Sequence, residues 1–209
     1  MVGQNKMGKT LNPIIVIGTG RSGTSTMAGI LYFLGVKMGK NFVPANDRNP
    51  VGYFENKDVV DKIKKIKNGG TGFHKVIAEL NDYAKPTPWG VKVPRLVDFI
   101  DELKEAFPKA QYVIITRGKQ KTLNSMMKTM SEELANETYE RRVAAVKDIV
   151  ENQNFKTQVF RLQEISTTRV RDARDIVKGI AERLKLQPTD EQVELAALYL
   201  TFTTYVSQK

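Results

Sequence analysis

Gly18-Thr19-Gly20-Arg21-Ser22-Gly23-Thr24-Ser25 crowds glycines, hydroxyls and one guanidinium into eight positions. Glycine lets a backbone turn tightly and come close to a ligand. Hydroxyls donate hydrogen bonds, and arginine carries a permanent charge with a planar array of donors. Together these groups suit an oxyanion of the phosphate type. The spacing of Gly18, Gly23 and Ser25 matches the Walker A pattern G-x-x-x-x-G-K-[ST], but Thr24 stands where that pattern needs lysine. A nucleoside-triphosphate hydrolase or kinase needs that lysine and an acidic magnesium ligand. Here the loop's own cation is Arg21, so the bound group is phosphate-like and its charge is met differently.

The flanking residues place this loop. Ile14-Ile15-Val16-Ile17 is a short continuous apolar run, the pattern of a strand buried on both faces. After the loop, Met27, Ile30, Leu31 and Leu34 recur at helical spacing, and Gly35 is suited to a left-handed stop. A strand, a glycine-rich turn and a helix N-terminus direct free N–H groups and the positive end of the helix dipole at one point.

The loop and its flanks, P-x-x-x-x-G-T-G-R-S-G-T-S from Pro13 to Ser25, resemble the 5′-phosphosulfate loop of sulfotransferases that use 3′-phosphoadenosine 5′-phosphosulfate (PAPS). In that family a later strand ends in arginine, and a serine eight residues on helps it hold the 3′-phosphate. Tyr112–Thr116 is a buried strand pattern ending at Arg117, with Ser125 eight residues beyond. The resemblance implies a cofactor site of Gly20, Arg21, Ser22, Gly23, Thr24, Ser25, Arg117 and Ser125, open to PAPS and to the product adenosine 3′,5′-bisphosphate. It further implies catalytic roles for Arg21 on the leaving phosphate, for Lys92 near the sulfuryl oxygens and for Glu55 as general base. Pro94 fills the place where some branches carry a base histidine, and His74 is the rival base. Leu162 stands where a tyrosine near the adenine is usual. No metal is needed by the chemistry the family performs.

The rest of the chain must support this arrangement. Its 209 residues suit a single domain spanning 1–209, with residues 1–12 as a flexible lead-in. Strand patterns near 14–17, 89–93, 112–116 and 157–162 alternate with helical ones. The expected fold is therefore α/β, a three-layer, mainly parallel sheet flanked by helices, as in P-loop-like sulfotransferases. Leu96 to Phe107 reads as one helix. Leu123, Met126, Met127, Met130 and Leu134 read as another, and Val143, Val146 and Val150 continue with a charged outer face. Lys62, Lys64, Lys65 and Lys67 read as a solvated helix face. Pro188-Thr189-Asp190-Glu191-Gln192 has the form of a capping box.

With 33 basic and 23 acidic residues the chain carries a net charge of +10, which favours anionic ligands. No nucleic-acid-binding signature accompanies that charge. There is no cysteine and one histidine, which leaves no thiolate or histidine metal site. Lacking a long apolar run or a secretory leader, the sequence fits a soluble cytoplasmic enzyme acting on a small-molecule or glycan acceptor. Two other readings remain open at this point: a nucleotide or nucleoside kinase with a degenerate loop, and a non-catalytic module for anionic ligands.

Overall fold

A computed structural model describes residues 12–47, 49–67, 72–82, 88–151 and 156–207. The lead-in 1–11, the helix stop at Asn68-Gly69-Gly70 and most of the Lys85–Pro88 connector lie outside the described residues. Four strands, β1 (Ile14–Gly18), β2 (Gly90–Lys92), β3 (Gln111–Thr116) and β4 (Lys156–Arg161), form one sheet in the order β2-β1-β3-β4. Every pairing is parallel: Ile15 lies opposite Val91 and Tyr112, and Val113 opposite Gln158. Eight α-helices are described: α1 (Thr24–Phe33), α2 (Lys57–Lys67), α3 (His74–Asp82), α4 (Ile100–Ala106), α5 (Lys119–Met126), α6 (Glu132–Glu151), α7 (Val170–Arg183) and α8 (Asp190–Ser207).

The apolar runs in β1 and β3 make the layers. Side chains alternate across a strand, so a run buried throughout must meet a core on each face. Ile14, Val16, Val113 and Ile115 pack with residues of α1, α7 and α8 on one face. Ile15, Ile17, Tyr112 and Ile114 pack with α2, α3, α4 and α6 on the other. The expected three-layer α/β arrangement is therefore present. Among the described residues no helix is long and apolar enough to cross a membrane.

Local signals act as their chemistry dictates. Gly35, at φ 87°, ends α1 in a Schellman motif: its N–H donates to the Tyr32 carbonyl and that of Val36 to the Leu31 carbonyl. Thr189 and Gln192 form the reciprocal capping bonds ahead of α8. Asn56 caps α2 by accepting from the N–H groups of Asp58 and Val59. On α2, Lys62 pairs with Glu79 and Lys64 with Asp61.

Three expectations change. The helical pattern from Leu96 begins as a 3-10 segment, Pro94–Phe99, and becomes α-helical only at Ile100. The methionine-rich stretch is two helices, because α5 ends at Met126 and α6 begins at Glu132. Met130 and Tyr139 still pack against Leu123 and Met126, so the apolar pattern reports a core shared across the junction of two helices. Leu162 leaves the fourth strand and opens a second 3-10 segment, Leu162–Ile165.

Candidate active site

The crevice opens where the chain connections diverge. β2 pairs with one edge of β1 and β3 with the other, so the carboxyl end of β1 is left uncovered, the usual place for ligands in such sheets. The glycine-rich turn occupies that end. Its backbone takes positive φ at Gly20 (83°), Arg21 (55°) and Gly23 (98°), which folds the turn tightly onto the start of α1. No side chain caps α1 and its first turn holds no acid. The N–H groups of its first turn, with the positive end of its dipole, therefore remain available beside a cleft of about 380 Å³ lined by Gly23, Thr24, Ser25 and Thr26. A side chain at Gly23 would collide with Leu162, which closes over the turn from the end of β4.

Two residues of the sequence-level set face elsewhere. Ser22 is fully buried and packs over Gly18, and its hydroxyl finds no hydrogen-bond partner among the described residues. Gly20 abuts the Arg142 guanidinium. Neither lines the cleft. Arg21, Gly23, Thr24, Ser25, Glu55, Lys92, Arg117 and Ser125 all do. His74 is exposed on α3 and lies outside the cleft lining.

The cations converge. Arg117 donates from Nη1 to the Arg21 carbonyl at 3.2 Å, and Arg21 donates from Nε to Ser125 Oγ at 3.0 Å. Residues 96 and 104 positions apart in sequence thus form one patch, because β1 and β3 are neighbours and both end at this edge. Arg117 tethers the loop backbone, while Ser125 holds the Arg21 side chain across the cleft floor.

Lys92, at the end of β2, is almost fully buried. Its three N–H donors meet three acceptors: Glu55 Oε1 at 2.6 Å, Ser25 Oγ at 2.9 Å and the Tyr53 carbonyl at 3.2 Å. Burial pushes its pKa below the ordinary lysine value, and the Glu55 carboxylate opposes that fall. Glu55 reaches this position because Phe54, before it, adopts a left-handed backbone (φ 51°), uncommon for a bulky residue. The Phe54 ring sits among Tyr32, Phe33, Phe42 and Tyr199, which holds the strained residue in place.

Several contributors have no sequence signal of their own. Arg142 belongs to α6, whose sequence pattern suggests a charged outer face and singles out none of its charges. Arg142 is mostly buried, pairs with Asp98 at 3.5 Å and donates to the Thr19 carbonyl at 3.4 Å, bracing the turn from below. Asp47, Asn49 and Tyr53 also line the cleft, as do Thr203 and Thr204 of α8. Two buried threonines on an otherwise apolar helix face were the only hint of the last pair.

This arrangement can bind a phosphate-bearing ligand by backbone N–H groups and two guanidinium groups, with a carboxylate–ammonium pair beside the bound group. The family model described as a sulfotransferase domain matches residues 13–184. A search of curated proteins by sequence gives no match. Among solved structures, the fold is similar to that of the sulfotransferase domain of the Synechococcus PCC 7002 olefin synthase, with a TM-score of 0.60 and 13% identity over 92% of this chain and 79% of that one. Sulfotransferase STF9 from Mycobacterium avium gives 0.59 and 14%, over 92% of this chain and 68% of that one. Mouse sulfotransferase SULT7A1, solved in complex with PAP, gives 0.50 and 12%, over 94% and 66%. At these identities the likeness is one of fold.

Proposed function

The chain belongs to the sulfotransferase family, and we propose from that premise that it moves a sulfuryl group from PAPS to the hydroxyl or amine of a small-molecule or glycan acceptor. The observation that carries this reading is the single patch made by Arg21, Arg117 and Ser125 at the uncapped start of α1, with the Lys92–Glu55 pair beside it. The mouse relative was solved with PAP, the desulfated donor, and the same ligand suits the charges and donors of this cleft.

The roles are those the resemblance implies, and the convergence of these side chains supports them. Arg117 and Ser125 take the 3′-phosphate, since a planar guanidinium gives two parallel charge-assisted bonds to an oxyanion. Arg21 and the first N–H groups of α1 take the 5′-phosphate. The acceptor oxygen or nitrogen attacks sulfur while the bond from sulfur to the bridging phosphate oxygen breaks. The electron pair of that bond leaves on the 5′-phosphate, where these donors stabilise the new charge. Glu55 takes the acceptor proton, a contribution of about 10²–10⁴ in rate. Lys92 acts through its partners: it holds Ser25 toward the phosphate site and keeps Glu55 aimed. The acceptor enters past Asp47, Asn49 and Tyr53, whose loop leads into Glu55.

Calorimetry tests the donor. Adenosine 3′,5′-bisphosphate binds in the presence of a chelator, and Arg117→Ala weakens that binding at least 100-fold. Glu55→Gln binds the same ligand as the wild type does, yet gives no sulfated product with any acceptor that the wild type uses. Binding restricted to ATP with magnesium would replace this reading with a kinase. Binding without turnover over a broad acceptor panel would leave an anion-binding module.

A further inference from the structure

The last helix is apolar on the wrong side as well as the right one. Val193, Ala196, Ala197 and Leu200 face the core, yet Leu195, Leu198, Phe202 and Tyr205 on the opposite face are 44, 47, 57 and 51% exposed. A helix that is apolar all round is normally covered all round. The four exposed side chains are spaced by three, four and three residues, the a-d-a-d rhythm of a two-helix seam. From Leu195 to Ser207 there is no charged residue, in a chain where 27% of residues are charged. α8 also lies beyond the stretch that matches the family model.

We propose that this face pairs with the same face of a second copy of the chain, the two α8 helices running antiparallel. Antiparallel pairing about a two-fold axis near Leu200 sets Leu198 of each copy against Phe202 of the other, and Leu195 against Tyr205. Each smaller leucine then meets a larger ring. The acids that open α8, Asp190, Glu191 and Glu194, lie at opposite ends of the seam, whereas a parallel pair would set them against their own copies. The seam itself is neutral, so two chains of net charge +10 meet where neither presents charge. A membrane surface fits less well. Interfacial helices carry lysine and arginine on their polar face, and residues 190–207 hold neither and begin with acids. The four side chains expose about 400 Å² per copy, roughly half of the ~800 Å² that each partner brings to a standard interface. The pair is accordingly reversible, forming over roughly micromolar to hundred-micromolar concentrations.

Sedimentation velocity over that range shows the expected shift from monomer to dimer, and Leu198→Glu and Phe202→Glu each hold the chain at monomer mass. Near-ultraviolet circular dichroism and adenosine 3′,5′-bisphosphate binding of both variants confirm that they are folded, since neither residue lines the cleft. Direction is read by disulfide trapping, which is clean because the chain has no cysteine. An equal mixture of Leu198→Cys and Phe202→Cys chains cross-links faster than Leu195→Cys alone, whose two thiols sit ~15 Å apart along an antiparallel pair. A monomer at all concentrations, or a dimer indifferent to both glutamate variants, overturns the proposal. So does faster trapping of Leu195→Cys, which would mean a parallel pair. Co-sedimentation with vesicles of phosphatidylcholine and phosphatidylserine, lost in Phe202→Glu, would overturn it in favour of a membrane.

Discussion

Lys92 and Glu55 give the most exacting test of how this site is held together. The ammonium is 2% exposed, the carboxylate 15%, and they meet at 2.6 Å. In Lys92→Met the buried carboxylate loses its cation, and Ser25 Oγ and the Tyr53 carbonyl lose a donor. Removing one partner of a buried pair costs about 3–5 kcal/mol. Residual water access to Glu55 places this case near ~3 kcal/mol, a large share of the roughly 5–15 kcal/mol that holds a domain folded. Glu55→Gln leaves an amide oxygen for Lys92 and costs less, about 1–3 kcal/mol. The double variant removes both charges, so its loss falls short of the sum by ~2 kcal/mol. Glu55→Gln also changes the pH response. The carboxylate is what offsets the burial-driven fall of the Lys92 pKa. Lys92 in the folded chain already binds its proton more weakly than in the unfolded chain, where the ordinary value is 10.5, and without the carboxylate that gap widens. The unfolded state then holds more protons, so the variant's stability rises with pH below that value more steeply than the wild type's. Urea unfolding of the four proteins at several pH values reads all of this. Additivity within ~0.5 kcal/mol, or a Lys92→Met variant as stable as the wild type, would show that the pair does not hold the site.

Gly23→Ala drives a Cβ into Leu162 Cδ1 on a residue at φ 98°, so stability falls by ~1–2 kcal/mol and adenosine 3′,5′-bisphosphate binding by more than tenfold; denaturation and calorimetry report both, and unchanged binding would separate the turn from the ligand. At Phe54, φ 51° makes glycine the better small residue, so Phe54→Gly is more stable than Phe54→Ala by ~1 kcal/mol although both lose the ring; thermal unfolding in the reverse order would refute the strain. Burial raises Tyr112 and Tyr199 to about 12, so the folded state keeps protons that the unfolded state gives up above its ordinary value of 10. Stability from these groups is whole below that value and is lost as pH climbs toward 12, and Tyr199→Phe flattens the loss seen in alkaline melts.

Local chemistry made much of the site legible in the sequence. The strand, the turn from Gly18 to Ser25 and the helix after it are contiguous, and adjacent residues dictate a turn, a cap and a buried strand with little help from elsewhere. Arg117 and Ser125 stood out because a strand end and the next helix fix their relative placement over eight residues, and a resemblance could attach a role to that spacing. β1 and β3 were legible because Ile14–Ile17 and Val113–Ile115 are apolar without interruption, as strands covered on both faces are, whereas β2 is short and β4 mixed and partly exposed. Helix boundaries were less so. The periodicity through Met126 and Met130 records side chains that share a core and is blind to the break between two helices, and it wrongly adds Leu134, which is exposed.

What tertiary structure alone decided is convergence. That Arg21 bonds Ser125 follows from β1 lying beside β3, and that Lys92 meets Glu55 follows from β2 lying on the other edge while an aromatic cluster holds Phe54 in a strained turn. Arg142 looked like any charge on a helix surface until α6 packed beneath the glycine turn. The exposed rows of α8 likewise look like core in the sequence. A residue's type states what it can bond and whether burial favours it, and periodicity states which neighbours on its own element share its face. Which distant element comes to meet that face depends on the packing of the whole chain.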